Sequence, residues 1–141
     1  MTVVTYGDAA SALAAALREL LADEPAPYAA GVRVGTKVPT GNDPYTDAGP
    51  LVVVTQNAAG TPQERANARV PLRLMVWHST DDDAYDLAQL VHGLALAHSG
   101  PVIRSVLAGT SPWVTPDPDT SEPLASCTVT ANVRGQLHPT A

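Results

Sequence analysis

The apolar positions of this chain recur with two periods, and each change of period marks an element. Over 9–22, Leu13, Leu17, Leu20 and Leu21 follow helical spacing, while Ala10, Ala14 and Ala16 keep the helix slim. Asp8 stands just before it, where a carboxylate accepts hydrogen bonds from first-turn amides, and Pro25 and Pro27 end it. Val32, Val34 and Val38 then alternate with Arg33, Gly35 and Lys37, which predicts a strand with one dry face. The Gly- and Pro-rich stretch 39–50 predicts a loop, and the uniformly apolar run 51–56 predicts a central strand.

After a polar, turn-rich segment at 57–68, alternation returns over 69–78. Val70, Leu72, Leu74 and Val76 share one face, and Arg69, Arg73, Met75 and Trp77 share the other. Pro71 cannot donate to a ladder, so an edge or a bulge is expected near the start of this strand. Ser79, Thr80 and Asp81 to Asp83 signal a helix start, and Ala84, Leu87, Ala88, Val91, Leu94 and Ala95 form the apolar stripe of a helix ending around 98–101. Gly93 interrupts that helix, either to allow close packing on the sheet or as a tolerated loss of about 1 kcal/mol. A strand is expected over 102–108, then a loop containing Trp113, then a strand in which Cys127, Val129, Ala131 and Val133 alternate with Thr128, Thr130, Asn132 and Arg134. The expected fold is α+β: a mainly antiparallel or mixed sheet of about five strands, with two helices packed on one face. The other face is left polar or for a partner. All of 1–141 reads as one domain with a short flexible tail from about 136.

Composition sharpens this picture. Hydrophobic residues make up 45% and charged residues 16%, with no Phe, so the core must come from Leu, Val and Ala, and self-association can add stability. The net charge of −6 opposes the positive field that wraps or reads duplex DNA, although it is compatible with DNA passing through an assembly ungripped. Cys127 stands alone and cannot form an intrachain disulfide. The first eight residues lack a basic leader followed by an apolar core, so no secretory signal is expected, and no apolar run reaches the roughly 18 residues of a membrane span. A cytoplasmic site of synthesis follows.

Candidate chemistry is sparse. Asp81, Asp82, Asp83 and Asp86 fan around a helix start and read as capping charge rather than as converging metal ligands. His78 and His92 belong to no ligand pattern and are expected to be partly exposed, and Cys127 falls on a dry strand face where a thiol is inert. Ser79 and Ser111 have no nucleophile elbow, no phosphate-cradling glycine motif occurs, and Lys37 is the sole lysine. No catalytic, cofactor-binding or metal-binding residue is assigned, and no cofactor is expected. A small enzyme without a recognisable motif stays open as an alternative and would need a concave pocket with converging polar groups. Arg65, Arg69 and Arg73 recur every four residues, and in a strand Arg69 and Arg73 share a face; on an acidic chain they are candidates for pairing with acids of a neighbouring subunit.

The order and spacing of these segments resemble the tail terminator, or tail completion, proteins of long-tailed bacteriophages. The resemblance spans about 8–135. It is carried by the first helix, the strand ending at Lys37-Val38-Pro39, the run 51–55, the run 69–79, the helix around 84–91, the Pro116-Asp117-Pro118-Asp119 loop and the run 127–135. It implies a helix-covered sheet and a closed ring, commonly of six subunits. Such a ring sits at the head-proximal end of the tail tube, stops tube growth and offers the head-side connector its attachment surface, with DNA passing through the lumen. The implied partners are copies of the chain, the tail tube protein and the connector, with no membrane, in a virion assembled in the bacterial cytoplasm. Loops 39–50, 57–68 and 110–123 are then candidates for ring and axial contacts, with Tyr45 and Trp113 as their large side chains. Another head–tail connector or neck ring protein shares small size, acidity and ring formation and stays open beside the terminator reading.

Overall fold

In a computed structural model, which describes residues 1–41, 43–63 and 67–140, eight strands and two α-helices follow one another, with short 3-10 turns at Pro27–Ala29 and Tyr45–Ala48. They are β1 (Thr2–Tyr6), α1 (Ala9–Ala22), β2 (Arg33–Gly35), β3 (Leu51–Gln56), β4 (Thr61–Gln63), β5 (Asn67–Trp77), α2 (Asp81–Leu96), β6 (Ile103–Ala108), β7 (Trp113–Pro116) and β8 (Pro123–Pro139). The main path of the sheet runs β1-β8-β5-β3-β2; β4 adds to β5, and β6 and β7 add to β8. All pairs are antiparallel except β2 with β3, so the sheet is mixed and mainly antiparallel. Both helices pack on one face, as their apolar stripes require, α1 over β2 and β3 and α2 over β8 and β5.

Local chemistry sets the helix starts. Asp8 accepts from the Ser11 amide at 3.1 Å and caps α1, and Thr80 accepts from the Asp83 amide at 3.2 Å and caps α2. Leu13, Leu17 and Leu21 of α1 and Leu87 and Val91 of α2 are buried against Val52, Val54, Leu72, Leu74, Val76, Cys127 and Val129 of the sheet. Leu20 stays exposed on the flank of α1. Gly93 faces open space, since a Cβ there would meet nothing within 4 Å, so close packing does not account for it. His78 is buried rather than partly exposed. Its Nδ1 accepts from the Ser79 amide at 2.8 Å and its Nε2 donates to the Tyr28 carbonyl at 2.9 Å, a role as a strand-to-helix staple.

β5 is flanked by β8 along its whole length, while on its other side β3 covers 72–77 and β4 covers 67–69. The Pro71 carbonyl accepts from Asn57 at 2.8 Å on that second side, so the missing amide hydrogen of Pro71 faces the gap between β3 and β4. β6 and β7 lie end to end along the far edge of β8. Between them the chain presses on β8 at Gly109, whose amide donates to the Thr128 carbonyl at 3.0 Å; a Cβ there would come within 2.6 Å of that oxygen. Residues 136–139, read in the sequence as a short tail, form the outer end of β8 and pair with β1 in a two-stranded ribbon that joins the chain termini.

Candidate subunit or partner interface

The face of the sheet away from the helices divides into a covered half and an open half. Alternation along β5 directs Arg69, Pro71, Arg73, Met75 and Trp77 to it, and the register adds Leu124, Ser126, Thr128, Thr130 and Asn132 of β8 and Leu51, Val53 and Thr55 of β3. β2 and β3 are parallel, so the chain between them must cross the sheet, and loop 39–50 does so over this face. Its Tyr45 packs edge-on against Trp77 with ring centroids 5.6 Å apart, and together with Leu51, Val53, Met75 and Leu124 they form a second, smaller core.

Polar anchors hold that loop. Glu122 accepts from the Tyr45 amide at 2.6 Å and the Thr46 amide at 3.0 Å, and also from the Thr46 hydroxyl, while the Arg33 guanidinium donates to the carbonyls of Tyr45 and Gly49. Beneath it, buried Asp117 accepts from the Trp77 indole at 2.8 Å and from the amides of Asp119 at 2.8 Å and Thr120 at 3.0 Å. Burial pushes the carboxyls of both Asp117 and Glu122 up, but these hydrogen bonds outweigh it and hold each below its ordinary value. For the Tyr45 phenol, burial and the nearby carboxylates of Asp117, Asp119 and Glu122 all push upward. Tyr45 is 8% exposed and its ring is spent inside the subunit, which removes it from the candidate contact residues.

The open half is different in kind. Arg69 and Arg73 are exposed, Arg73 donates to the Ser126 hydroxyl at 3.3 Å, and the alternation of β8 places Arg134 on the same face, where it donates to the Gly100 carbonyl at 3.2 Å. Trp113 pairs with Ser126 and so belongs to this face, and its side chain is 72% exposed. Leu107, paired with Thr130, is 46% exposed on the same surface. The structure thus places Arg69, Arg73 and Trp113 on one face of the sheet, with Arg73 nearer to Trp113 along β8 than Arg69, although 40 positions separate Arg73 from Trp113. Arg65 lies outside the described residues. Leu107 and Arg134 join the patch without having been singled out; the alternation of 128–134 carried the signal for Arg134, whereas Leu107 sits in an apolar run that says nothing about its outward face.

Among the described residues no three His, Cys, Asp or Glu side chains converge as metal ligands, and no helix is long and apolar enough to cross a membrane. Cys127 is 1% exposed, and burial pushes its thiol up to about 12. The groove beside the β1–β8 ribbon is lined by Met1, Thr2, Val3, Val4, Tyr6 and Pro62 and gathers no carboxylate, histidine or cysteine. An open apolar and cationic surface of this kind suits contact with protein rather than catalysis.

No protein-family model matches this sequence, and no curated protein matches it. One chain of a solved structure described as the virion of native gene transfer agent (GTA) particle shares the fold with a TM-score of 0.62 and 16% identity, the alignment covering 92% of this chain and 100% of that one. At that identity the likeness is one of fold, and it extends over the whole of the other chain.

Proposed function

We propose that this chain is a structural virion protein of the tail terminator kind: a ring that caps the head-proximal end of a tail tube, ends tube polymerisation and presents the head-side connector with its attachment surface. The observation that carries the reading is the end-to-end fold likeness to a chain of a structure described as the virion of a gene transfer agent particle. The open sheet face supports it from within the molecule, because exposed Trp113 and Leu107 beside Arg69 and Arg73 form a surface suited to a protein partner. A subunit whose two sides differ can join head to tail, and the contacts close into a ring when their rotation completes a circle. One ring face then matches the last tube ring and the other does not, so growth stops for want of a complementary surface. The net charge of −6 disfavours a grip on DNA phosphates and fits a lumen through which DNA passes without specific binding. Neither catalysis nor a cofactor enters this function, and the protein works in the virion after assembly in the host cytoplasm.

The likeness is to a chain of a whole virion, and it lends the same support to a connector or neck ring on the head side of the junction. Polymerising tail tube protein with and without this chain tests the terminator reading. The expected result is shorter tubes carrying a ring at one end only. Tubes of unchanged length and bare ends would contradict it, and a ring found only on the connector would favour the neck reading.

A further inference from the structure

Charge is sorted between the strands and α2. The strands carry Arg33, Arg69, Arg73, Arg104 and Arg134 and, among the described residues, no Asp or Glu. α2 carries Asp81, Asp82, Asp83 and Asp86 and no Lys or Arg. Because α2 lies on the inner face of the sheet, its solvent side and the open half of the sheet look in opposite directions. Little of this charge is neutralised within the subunit: among the described residues, the one basic side-chain nitrogen within 4.0 Å of a carboxylate is His78 Nδ1, 3.9 Å from Asp83, and it accepts from the Ser79 amide rather than carrying a proton. The carboxylates on the outer side of the sheet sit at its covered end, where Asp117 and Glu122 are occupied by their own loops and Asp43, Asp47 and Asp119 lie on exposed turns. Asp81 to Asp83 have a local role in the first turn of α2, where carboxylates complement the amide end of a helix. Asp86 lies beyond that turn, exposed beside Tyr85, where the helix offers it no free amide.

We propose that the open sheet face of one copy docks on the solvent side of α2 of the next, with Arg69 and Arg73 facing Asp82 and Asp86 and with Trp113 and Tyr85 supplying the apolar area. The argument for a second copy as the occupant is charge complementarity: the chain itself carries both the cationic face and, on its opposite side, an anionic helix of matching chemistry. Contacts between opposite sides of identical subunits are heterologous and propagate in one direction, which is what a ring needs. This inference rests on the ring reading and specifies its contact.

Two charge reversals test it. Arg73→Glu places a carboxylate opposite Asp86, and Asp86→Arg places a cation opposite Arg73, so each variant alone meets like charge in its own copies. In an equimolar mixture of the two, residue 73 of every copy finds a residue 86 of opposite sign on a copy of the other variant. Oligomer mass is measured for wild type, each variant and the mixture at low salt, with circular dichroism checking that each is folded. The expected result is that each variant alone needs about tenfold more protein to assemble, and that the mixture returns to within about threefold of wild type. Wild type assembling with both variants unaffected would overturn this contact while leaving the ring intact; a wild type that never assembles, with or without tubes, would overturn the ring reading as well. Loss of assembly in each variant without rescue on mixing would overturn the pairing of these two surfaces. If Arg73→Glu leaves the mass unchanged and lowers retention of duplex DNA, the sheet face serves nucleic acid, and the proposal fails.

Discussion

Trp77 and Asp117 form a demanding contact, an indole and a carboxylate both buried on the sheet face that the helices leave uncovered. The carboxylate is tolerated there because three hydrogen-bond donors compensate its lost hydration. Its folded-state pKa, like that of Glu122, is held below the ordinary values of 3.8 and 4.5, so both groups contribute stability that is fully present above those values and is lost as pH falls through the folded-state ones. Emission from Trp77, read in a Trp113→Phe background, is expected to stay flat between about pH 8 and pH 5 and to shift to the red below about pH 4. A shift centred near neutrality would contradict this assignment. Asp117→Asn keeps the shape but turns an acceptor into a donor against the Asp119 and Thr120 amides or the indole, and should cost about 1.5–3 kcal/mol in denaturant unfolding. Gly93→Ala should do the opposite: its Cβ meets nothing, so the helix gains about 1 kcal/mol, read as a higher midpoint with an unchanged slope.

At the scale of elements, what the sequence made legible was whatever depends on near neighbours. Both helices and their caps, the run 51–56 and the alternation of 69–77 and 127–133 stand where their periods place them. The short strands β1, β4 and β7 escaped because three to five residues carry too little pattern, and their pairing is set by β5 and β8 rather than by their own residues. Long β8 was legible only over its buried centre; its outer end is exposed on both faces and has no apolar alternation. The second core was illegible for another reason. Glu122 reaches Tyr45 across 77 positions, and no local signal joins a loop carboxylate to a distant turn. Trp77 accordingly read only as sharing a face with the arginines, and loop 39–50 buries it to 1% exposure. Glu122→Gln should loosen that loop selectively, with amide exchange at 45–49 rising at least about tenfold while α1 and α2 stay protected. At Gly109, alanine would press on the Thr128 carbonyl and should detach β6 and β7 from β8, lowering the unfolding midpoint.

For the whole molecule, the central feature is an asymmetric two-layer block. One side presents α2 with its aspartates, and the other presents a half-open sheet whose outer face carries Arg69, Arg73 and Trp113. In the proposed ring, a core built without Phe and a tryptophan left 72% exposed would both gain from assembly. Trp113→Ala is therefore expected to weaken assembly by about tenfold or more while the helical circular dichroism is unchanged, because the side chain contributes little inside the subunit. The most direct test of the account is the mass and shape of the purified chain as its concentration rises, alone and with tail tubes. The account predicts a closed ring whose mass is a small integer multiple of 14.6 kDa, in solution or on one tube end. A particle of 14.6 kDa at every concentration, with tube ends left bare, would contradict it.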